Sequence, residues 1–166
     1  LFADATVNID TTPEVLAEIA ILCAERARQF DIEPKIAMLS FSNFGSSNHP
    51  LADKVKKAVK IVRDQFPDLM IDGEMDVDTA VMEQIKDESY PLSHFKGAAN
   101  VLIFPDLTSG NIAYKLLKRL GGAEAIGPIL MGMKKPVHVL QQGSSDEKDV
   151  VNMTSIAVVD AQNLSN

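Results

Sequence analysis

The alternation of apolar and polar positions predicts a chain in which strands and helices follow one another. The clearest example is the uncharged segment Ala99–Phe104, which is typical of a buried strand and is followed by a helical pattern that extends to Leu120. Pro105 ends the strand. The cap of the helix is expected to come from one of three polar residues, Asp106, Thr108 or Ser109. A strand whose end leads into a helix start leaves free backbone N–H groups there, which favours an anionic ligand.

The rest of the chain continues this order. Helices are predicted over residues 13–30, 50–66, 78–86 and 148–161, because apolar side chains recur at helical spacing and polar or proline residues mark the starts. Extended segments are predicted at the opening of the chain and over residues 35–41, 69–71, 126–131 and 136–140. Strands separated by helices indicate an α/β fold, a three-layer sandwich with a mostly parallel sheet covered on both faces.

Composition is compatible with this fold and narrows the range of partners. The chain has 166 residues and 46% hydrophobic residues, which predicts a single domain over residues 1–166 with a sizeable core. Its formal charge of −7, from 23 acidic and 16 basic residues, argues against a nucleic-acid or membrane partner. Four lysines, Lys54, Lys56, Lys57 and Lys60, cluster on one predicted helix, where a solvated face is the preferred interpretation.

Cysteine content and hydropathy indicate a cytoplasmic protein. Cys23 is the single cysteine, so the chain can form neither an internal disulfide nor a thiolate metal site, and it lies on the apolar stripe of its predicted helix. No apolar run reaches the roughly 20 residues that a membrane span requires. The chain begins at Leu1 with a strand-like segment, which is expected of a piece of a longer protein.

The best candidate site is the polar loop Ser40–Ser47, which follows a predicted strand and precedes a helix. Ligands of open α/β sheets collect at the carboxyl ends of the strands, and this loop offers hydroxyl groups, an amide and a glycine. Such a loop suits a phosphate or phosphopantetheine group. A simple polar turn that caps the helix is the alternative.

Two carboxylates and a histidine near this loop also have to be assigned. Asp72 and Glu74 could serve as an acid/base pair or as metal ligands, but no histidine or third acid follows at ligand spacing. We therefore expect no metal site, and we expect these carboxylates to accept hydrogen bonds in loops beside the cleft. His49 borders the loop, where a surface position at the helix start is preferred over ligand contact.

Three segments resemble, in the expected order, the phosphate acetyltransferase (phosphotransacetylase) family. They are MLSFSNFGSSNHP, IDGEMDVDTA and VLIFPDLTSGNIAYKLLKRLGGAEAIGP, and the resemblance extends from about Val7 to Gln162. The tail VHVLQQGSSDEKDVVNMTSIAVVDAQ is similar to the C-terminal phosphotransacetylase-like region of large NADP-dependent malic enzymes. The resemblance implies a phosphotransacetylase or isocitrate dehydrogenase-like fold, of which this chain would be the C-terminal half of the phosphotransacetylase-like region.

The resemblance also assigns roles to particular residues. It places SFSNFGSS at the family's substrate loop and Arg119 in the coenzyme A cleft. The implied residues for binding the coenzyme are Ser40, Ser42, Asn43, Gly45, Ser46 and Arg119. Arginine is also the side chain whose fork matches a phosphate.

The main departure from the family is at Gln141 and Gln142. Active members that this chain resembles carry Ser-Arg there, and a glutamine cannot form the charged, bidentate grip of an arginine on phosphate. The acid proposed as the family's base maps to Asp149, with Asp146 as an alternative. Gln141, Gln142 and Asp149 are therefore interpreted as a vestigial catalytic set.

These points predict a regulatory domain that binds acetyl-CoA or a related acyl-CoA or acyl phosphate and contributes to a homodimer or higher homo-oligomer. The resemblance implies that NADP, a divalent metal and the malate chemistry belong to the malic enzyme catalytic part of the same parent chain. A working acetyltransferase that moves acetyl from acetyl phosphate to coenzyme A is one alternative. A purely structural dimerisation domain is the other.

Overall fold

The computed structural model describes residues 1–140 and 145–163, and the chain divides into two compact units, Leu1–Lys115 and Leu116–Asn166. In chain order the elements are β1 (Phe2–Ala3), α1 (Pro13–Gln29), β2 (Ile36–Leu39), α2 (Pro50–Gln65), β3 (Ile71–Met75), α3 (Val77–Val81), α4 (Glu83–Ser89), β4 (Val101–Ile103), α5 (Leu107–Arg119) and α6 (Glu147–Asn163). The prediction of a single domain stays a prediction.

The first unit contains a four-stranded sheet in the order β1-β4-β2-β3, and all its pairings are parallel. The predicted α/β class with a parallel sheet is therefore confirmed. Parallel pairing brings the ends of all four strands to one edge of the sheet. The loops that follow the strands collect at that edge, which is where a ligand of such a sheet is expected.

Both faces of this sheet are covered. On one face a core cluster joins the strands to α3, and partly buried residues that include Ala113 of α5 pack against it; its members are Ala37, Leu39, Met75, Ala80, Leu102 and Phe104. The alternate strand residues, such as Met38 and Ile103, are also fully buried. On their side α1 and α2 pack against each other, α1 against β4 and α2 against β3.

The predicted helix starts agree with the structure. Thr12 caps α1, since its hydroxyl accepts a hydrogen bond from the Val15 N–H at 3.3 Å, and Pro13 follows at the first helical position. His49 caps α2 through its Nδ1, which accepts from the Leu51 N–H at 3.2 Å. Asp106 caps α5 by accepting from the Ser109 N–H at 2.8 Å. His49 is therefore the exposed helix-start residue that the sequence favoured.

Four predicted elements differ in the structure. The short strand at residues 69–71 instead runs from Ile71 to Met75 and includes two buried acids, since Asp72 accepts a hydrogen bond from the His94 N–H and Glu74 accepts one from the Ser42 hydroxyl. The helix at residues 78–86 is interrupted at Met82 and becomes α3 and α4. In the second unit, residues 126–131 and 136–140 form an isolated antiparallel bridge, Ile129 to His138, rather than strands of the sheet.

Cys23 lies on the buried face of α1, as predicted, with 1% of its surface exposed. Burial raises the pKa of its thiol to about 12, because the thiolate would lose its hydration there. Among the described residues, no helix is long and apolar enough to cross a membrane. The predicted cytoplasmic location stays a prediction.

Candidate functional site at the carboxyl edge of the sheet

The loop Ser40–Ser47 follows β2 and is attached to the end of β3. The Ser40 N–H donates to the Met75 carbonyl and the Phe44 N–H donates to the Glu74 carbonyl, both at 2.8 Å. These two bonds continue the pairing of β2 with β3 into the loop. The position of the loop is therefore set by the neighbouring strand as well as by its own sequence.

The Glu74 carboxylate lies inside the loop. Only 1% of this residue is exposed, and its Oε1 accepts hydrogen bonds from the Gly45 N–H at 2.6 Å and from the Ser42 hydroxyl at 3.0 Å. Within the part of the chain that the structure describes, the buried Oε2 has no hydrogen-bond partner. The predicted hydrogen-bonding role of Glu74 agrees with these contacts.

The loop's own backbone donors are engaged internally. Each N–H group from Ser42 to Ser47 has an acceptor within the loop or on β3. In order these acceptors are the Ser40 hydroxyl, the Ser46 hydroxyl, the Glu74 carbonyl, the Glu74 carboxylate, the Asn43 carbonyl and the Ser42 hydroxyl. In this conformation the loop offers no N–H group between these residues to a ligand, and phosphate binding by its backbone stays a prediction.

Asn43 forms a reciprocal pair with Asp76. Its amide Nδ2 donates to Asp76 Oδ2 at 2.7 Å, and its Oδ1 accepts from the Asp76 N–H at 2.8 Å. Asp76 also caps α3 by accepting from the Thr79 N–H at 2.8 Å. Burial raises the pKa of Asp76, but the hydrogen bonds from Thr79 and Asn43 outweigh this effect and lower the pKa overall. Asn43 thus joins the loop to the start of the next helix.

Two residues, Phe44 in the loop and Gly73 in β3, have positive φ angles and lie in close contacts. Phe44 has a positive φ of 48°, which is uncommon for a bulky residue, and its ring packs against Tyr90 with centroids 4.6 Å apart. Gly73 has a φ of 140°, and a Cβ there would lie 2.6 Å from the Met38 carbonyl oxygen. Only glycine fits at Gly73, because it has neither the steric clash nor the conformational penalty of other residues.

The loops after β1 and β4 meet at the same edge through Lys54. Its Nζ donates to the Pro105 carbonyl at 2.7 Å and to the Thr11 hydroxyl at 3.1 Å, and the Thr11 hydroxyl donates to the same carbonyl at 2.6 Å. The prediction that the lysines lie on a solvated face is therefore wrong for Lys54, which is half-buried. It agrees with Lys56, Lys57 and Lys60, which are exposed.

Asp72 serves another part of the first unit. It is 3% exposed, forms an ion pair with Arg63, and its Oδ2 accepts from the His94 N–H at 2.7 Å.

Lys86 of α4 is fully buried. It donates to the Gly97 carbonyl and places its Nζ 3.6 Å from the centroid of the Phe95 ring. Burial lowers the pKa of Lys86. These contacts fix the segment after α4, and no sequence pattern indicated the buried lysine.

The remaining predicted residues belong to the second unit or lie outside the described residues. Arg119 is exposed at the last position of α5. Asp146 and Asp149 form a reciprocal cap at the start of α6, each accepting from the other's N–H at 3.0 to 3.1 Å. The bond from the Asp149 N–H lowers the pKa of Asp146. Gln141 and Gln142 lie outside the described residues.

Asp149 also interacts with a cation of the second unit, since its Oδ2 lies 3.9 Å from Lys118 Nζ. The residue that the resemblance assigns as a vestigial base therefore has a structural role as a helix cap. Among the described residues, no group of three or more His, Cys, Asp or Glu side chains could hold a metal ion.

The fold is similar to that of phosphotransacetylases with known structures. A phosphotransacetylase from Streptococcus pyogenes is 47% identical with a TM-score of 0.88, over 99% of this chain and 49% of its own. A branched-chain phosphotransacylase from Enterococcus faecalis is 28% identical with a TM-score of 0.72, over 94% of this chain and 57% of its own.

The profile of the family described as Phosphate acetyl/butaryl transferase matches residues 1–158, and the chain belongs to this family. It is 51% identical over 162 residues to the NADP-dependent malic enzyme of Salmonella typhimurium, and 50% identical over 163 residues to the phosphate acetyltransferase of Clostridium acetobutylicum. The matches cover 96% and 98% of this chain, but 21% and 49% of those proteins. The chain thus spans about a fifth of the first relative and half of the second.

Proposed function

We propose that this chain is a regulatory acetyl-CoA-binding and oligomerisation domain of an NADP-dependent malic enzyme, whose other part oxidises and decarboxylates malate to pyruvate. The observation that carries the proposal is the pair Gln141 and Gln142, where active acetyltransferases that the chain resembles have Ser-Arg. The similarity to the Salmonella malic enzyme supports the choice of parent protein.

The glutamine pair favours binding over catalysis for an electrostatic reason. In acetyl transfer, negative charge develops on the reacting oxygen and on the leaving group, and a positioned charged donor stabilises both. Loss of one such donor typically costs about 3 kcal/mol, or roughly a hundredfold in rate. A neutral amide still donates single hydrogen bonds, which is enough to hold a ligand but supplies no charged fork for phosphate.

Acetyl-CoA fits the remaining groups of the proposed site. In the first unit, Ser40 and Ser46 bring hydroxyl groups to the carboxyl edge of the sheet. In the second unit, Arg119 is exposed, and arginine is a side chain suited to binding a phosphate. Binding of the ligand to one of two states of an oligomer would change the malate reaction by a coupling of about 1–3 kcal/mol, which is roughly 5- to 150-fold in affinity. The NADP and the metal belong to the catalytic part of the parent.

The test is malate-dependent NADPH formation by the full-length enzyme across an acetyl-CoA titration. We expect acetyl-CoA to inhibit, and Arg119→Ala to weaken the inhibition without a change in uninhibited turnover. Lys57→Ala, at an exposed position of α2, is the matched control, and acetyl-CoA should inhibit it as strongly as the wild type. Identical curves for wild type and Arg119→Ala would remove Arg119 from the site. A flat wild-type curve would remove acetyl-CoA as the effector.

A working phosphate acetyltransferase is the second candidate, favoured by the 50% identity to the Clostridium acetobutylicum enzyme. We expect transfer from acetyl phosphate to coenzyme A to stay near background in the full-length protein. The double change Gln141→Ser and Gln142→Arg should raise the rate without restoring that of a dedicated enzyme. A wild-type rate comparable to a dedicated acetyltransferase would select this candidate instead.

A purely structural dimerisation role is the third candidate. The second unit exposes several large apolar side chains, which include Leu120 at 82%, Met133 at 55% and Ile126 at 52%. Such exposure on a folded unit often marks an interface, and the commonest homo-oligomer is a two-fold dimer with an isologous interface. Light scattering of the full-length protein tests assembly. Absence of coenzyme A binding together with a stable dimer would select this role.

A further inference from the structure

We propose that Glu74 is a positioning residue that occupies the loop Ser40–Ser47 as a resident anion and excludes phosphate from it. The part of the ligand that meets the loop is then an uncharged hydrogen-bonding group, such as the amides and hydroxyl of a pantetheine arm. This inference rests on the proposed coenzyme A-type ligand for the identity of that group. The role of Glu74 itself rests on the loop geometry.

The Glu74 carboxylate takes the position that a bound oxyanion usually takes in a polar loop. Loops of this type hold an oxyanion through a backbone N–H group and a hydroxyl group that converge on one oxygen. Here the Gly45 N–H at 2.6 Å and the Ser42 hydroxyl at 3.0 Å converge on Glu74 Oε1. Both donors are therefore unavailable to a second anion while Glu74 stays in place.

The hydroxyl network reinforces this arrangement. Ser42 is fully buried, and since its single proton points to Glu74, its oxygen is left to accept from the Ser47 N–H at 3.1 Å. The Ser46 oxygen lies 3.3 Å from the Ser42 oxygen and accepts from the Asn43 N–H at 2.9 Å. Loss of the carboxylate would free the Ser42 proton and the Gly45 N–H at the same time.

The charge of Glu74 is compensated only by neutral donors. None of the ion pairs among the described residues includes Glu74, and its buried Oε2 has no hydrogen-bond partner there. An anion carrying one negative charge, placed about 4 Å from the Glu74 carboxylate at an effective dielectric constant of about 20, would bind roughly a thousandfold more weakly than it would without that carboxylate. A phosphate group is thus disfavoured within the loop.

The outer surface of the loop is exposed and lies beside a positively charged side chain, in contrast to the buried carboxylate inside the loop. Gly45 and Ser46 are exposed, and the exposed Lys56 places its Nζ 3.8 Å from the point that a Cβ on Gly45 would occupy. Charged phosphates of a ligand would therefore be attracted to the Lys56 side, while the uncharged arm contacts the hydroxyl of Ser46. The loop would select its ligand by the order of charged and uncharged groups.

The experiment uses hydrogen–deuterium exchange of the full-length protein, read on peptides that cover residues 40–47, with inorganic phosphate as the probe. Wild type, Glu74→Gln and Glu74→Asp are compared, and Glu18→Gln on the exposed face of α1 is the control with the same loss of charge. Global unfolding of each variant is followed by circular dichroism. Calorimetry with coenzyme A separately tests the proposed ligand.

We expect Glu74→Gln to raise exchange of the loop about tenfold, because hydrogen bonds to a charged acceptor are stronger than those to a neutral one. We also expect millimolar phosphate to slow this exchange in Glu74→Gln only. Glu74→Asp keeps the charge and should gain no phosphate protection, and the control should match wild type. Gain of phosphate binding is a result that mere loss of stability would not produce.

Phosphate protection of the wild-type loop would overturn the inference, and this measurement stands even if Glu74→Gln fails to fold. Unchanged exchange in a folded Glu74→Gln would also overturn it. A wild type that binds no coenzyme A in calorimetry would instead refute the proposed ligand, and the phosphate measurements would still decide the role of Glu74.

Discussion

The pair formed by Asn43 and Asp76 should contribute measurably to stability, and a double-mutant cycle can isolate one of its bonds. In the cycle, Asn43→Ala, Asp76→Ala and the double variant are compared with wild type. Asp76→Ala removes the contact from Asn43 Nδ2 to Asp76 Oδ2 at 2.7 Å and the helix cap on Thr79, but keeps the backbone N–H that donates to Asn43. The coupling energy therefore reports the Nδ2–Oδ2 bond alone.

The magnitude follows from the chemistry of this bond. A hydrogen bond to a charged group contributes about 1.5–3 kcal/mol, and partial exposure of Asp76 moves the expected coupling to about 1–2 kcal/mol. Asp76→Ala also loses a helix cap that is typically worth about 1 kcal/mol, so its single cost should be about 2–3 kcal/mol. Asn43→Ala should cost a similar amount, because it loses both bonds of the reciprocal pair.

The assay is urea unfolding of the four proteins, followed by circular dichroism at neutral pH. The cost of the double variant should fall short of the sum of the single costs by the coupling energy. A coupling energy below about 0.5 kcal/mol would refute the reasoning, because the effects of substitutions at distant, independent sites add to within about that amount. Asn43 would then be available to a ligand rather than committed to the structure.

Three further outcomes are expected. Gly110→Ala should destabilise the chain by about 1–3 kcal/mol in thermal unfolding, because the new Cβ would clash with the Asp4 carbonyl even though alanine favours helix. Thr108→Ala, at an exposed position of the same helix, is the control and should not destabilise; equal Tm shifts for the two variants would contradict the clash. Cys23 should resist labelling by maleimide at pH 8 in the native state, because a thiol pKa of about 12 leaves roughly one thiol in ten thousand ionised. Rapid labelling without global unfolding would contradict this and would show that α1 opens locally. The pKa values of Asp4 and Asp76 are lowered, so their contribution to stability is present above the ordinary carboxyl pKa and is lost as the pH falls through the lowered values. Unfolding curves of wild type and Asp76→Asn at decreasing pH check this, because the difference in stability between these two proteins should disappear as the pH falls through the lowered pKa.

The helices and most strands could be predicted because their signals are local. The apolar stripe of α1, with Thr12 and Pro13 before it, predicted both the helix and the burial of Cys23. β3 was predicted too short, because Asp72 and Glu74 are polar and local pattern assigns such residues to loops. Their carboxylates are buried through partners at distant positions, Arg63 and Ser42, which no periodicity reveals.

The position of the candidate loop was predictable, but its internal bonding was not. A run of Ser, Asn and Gly after a strand indicates a polar turn, with each donor open to several acceptors. The structure resolves this choice with Glu74, which lies 32 residues from Ser42. Lys54 was wrongly placed on a solvated face for a similar reason, since its acceptors Thr11 and Pro105 come from two other loops.

The order of the strands also determines when the candidate loop can form. β2 pairs with β3 through Ile36 and Ile71, with β4 through Ile36 and Val101, and β1 pairs with β4 through Phe2 and Leu102. Pairings between such distant segments close slowly, since the entropy of long loops is lost before any contact is gained. During synthesis, a chain that has emerged only as far as α2 therefore contains the whole loop sequence but lacks the carboxylate that orders it.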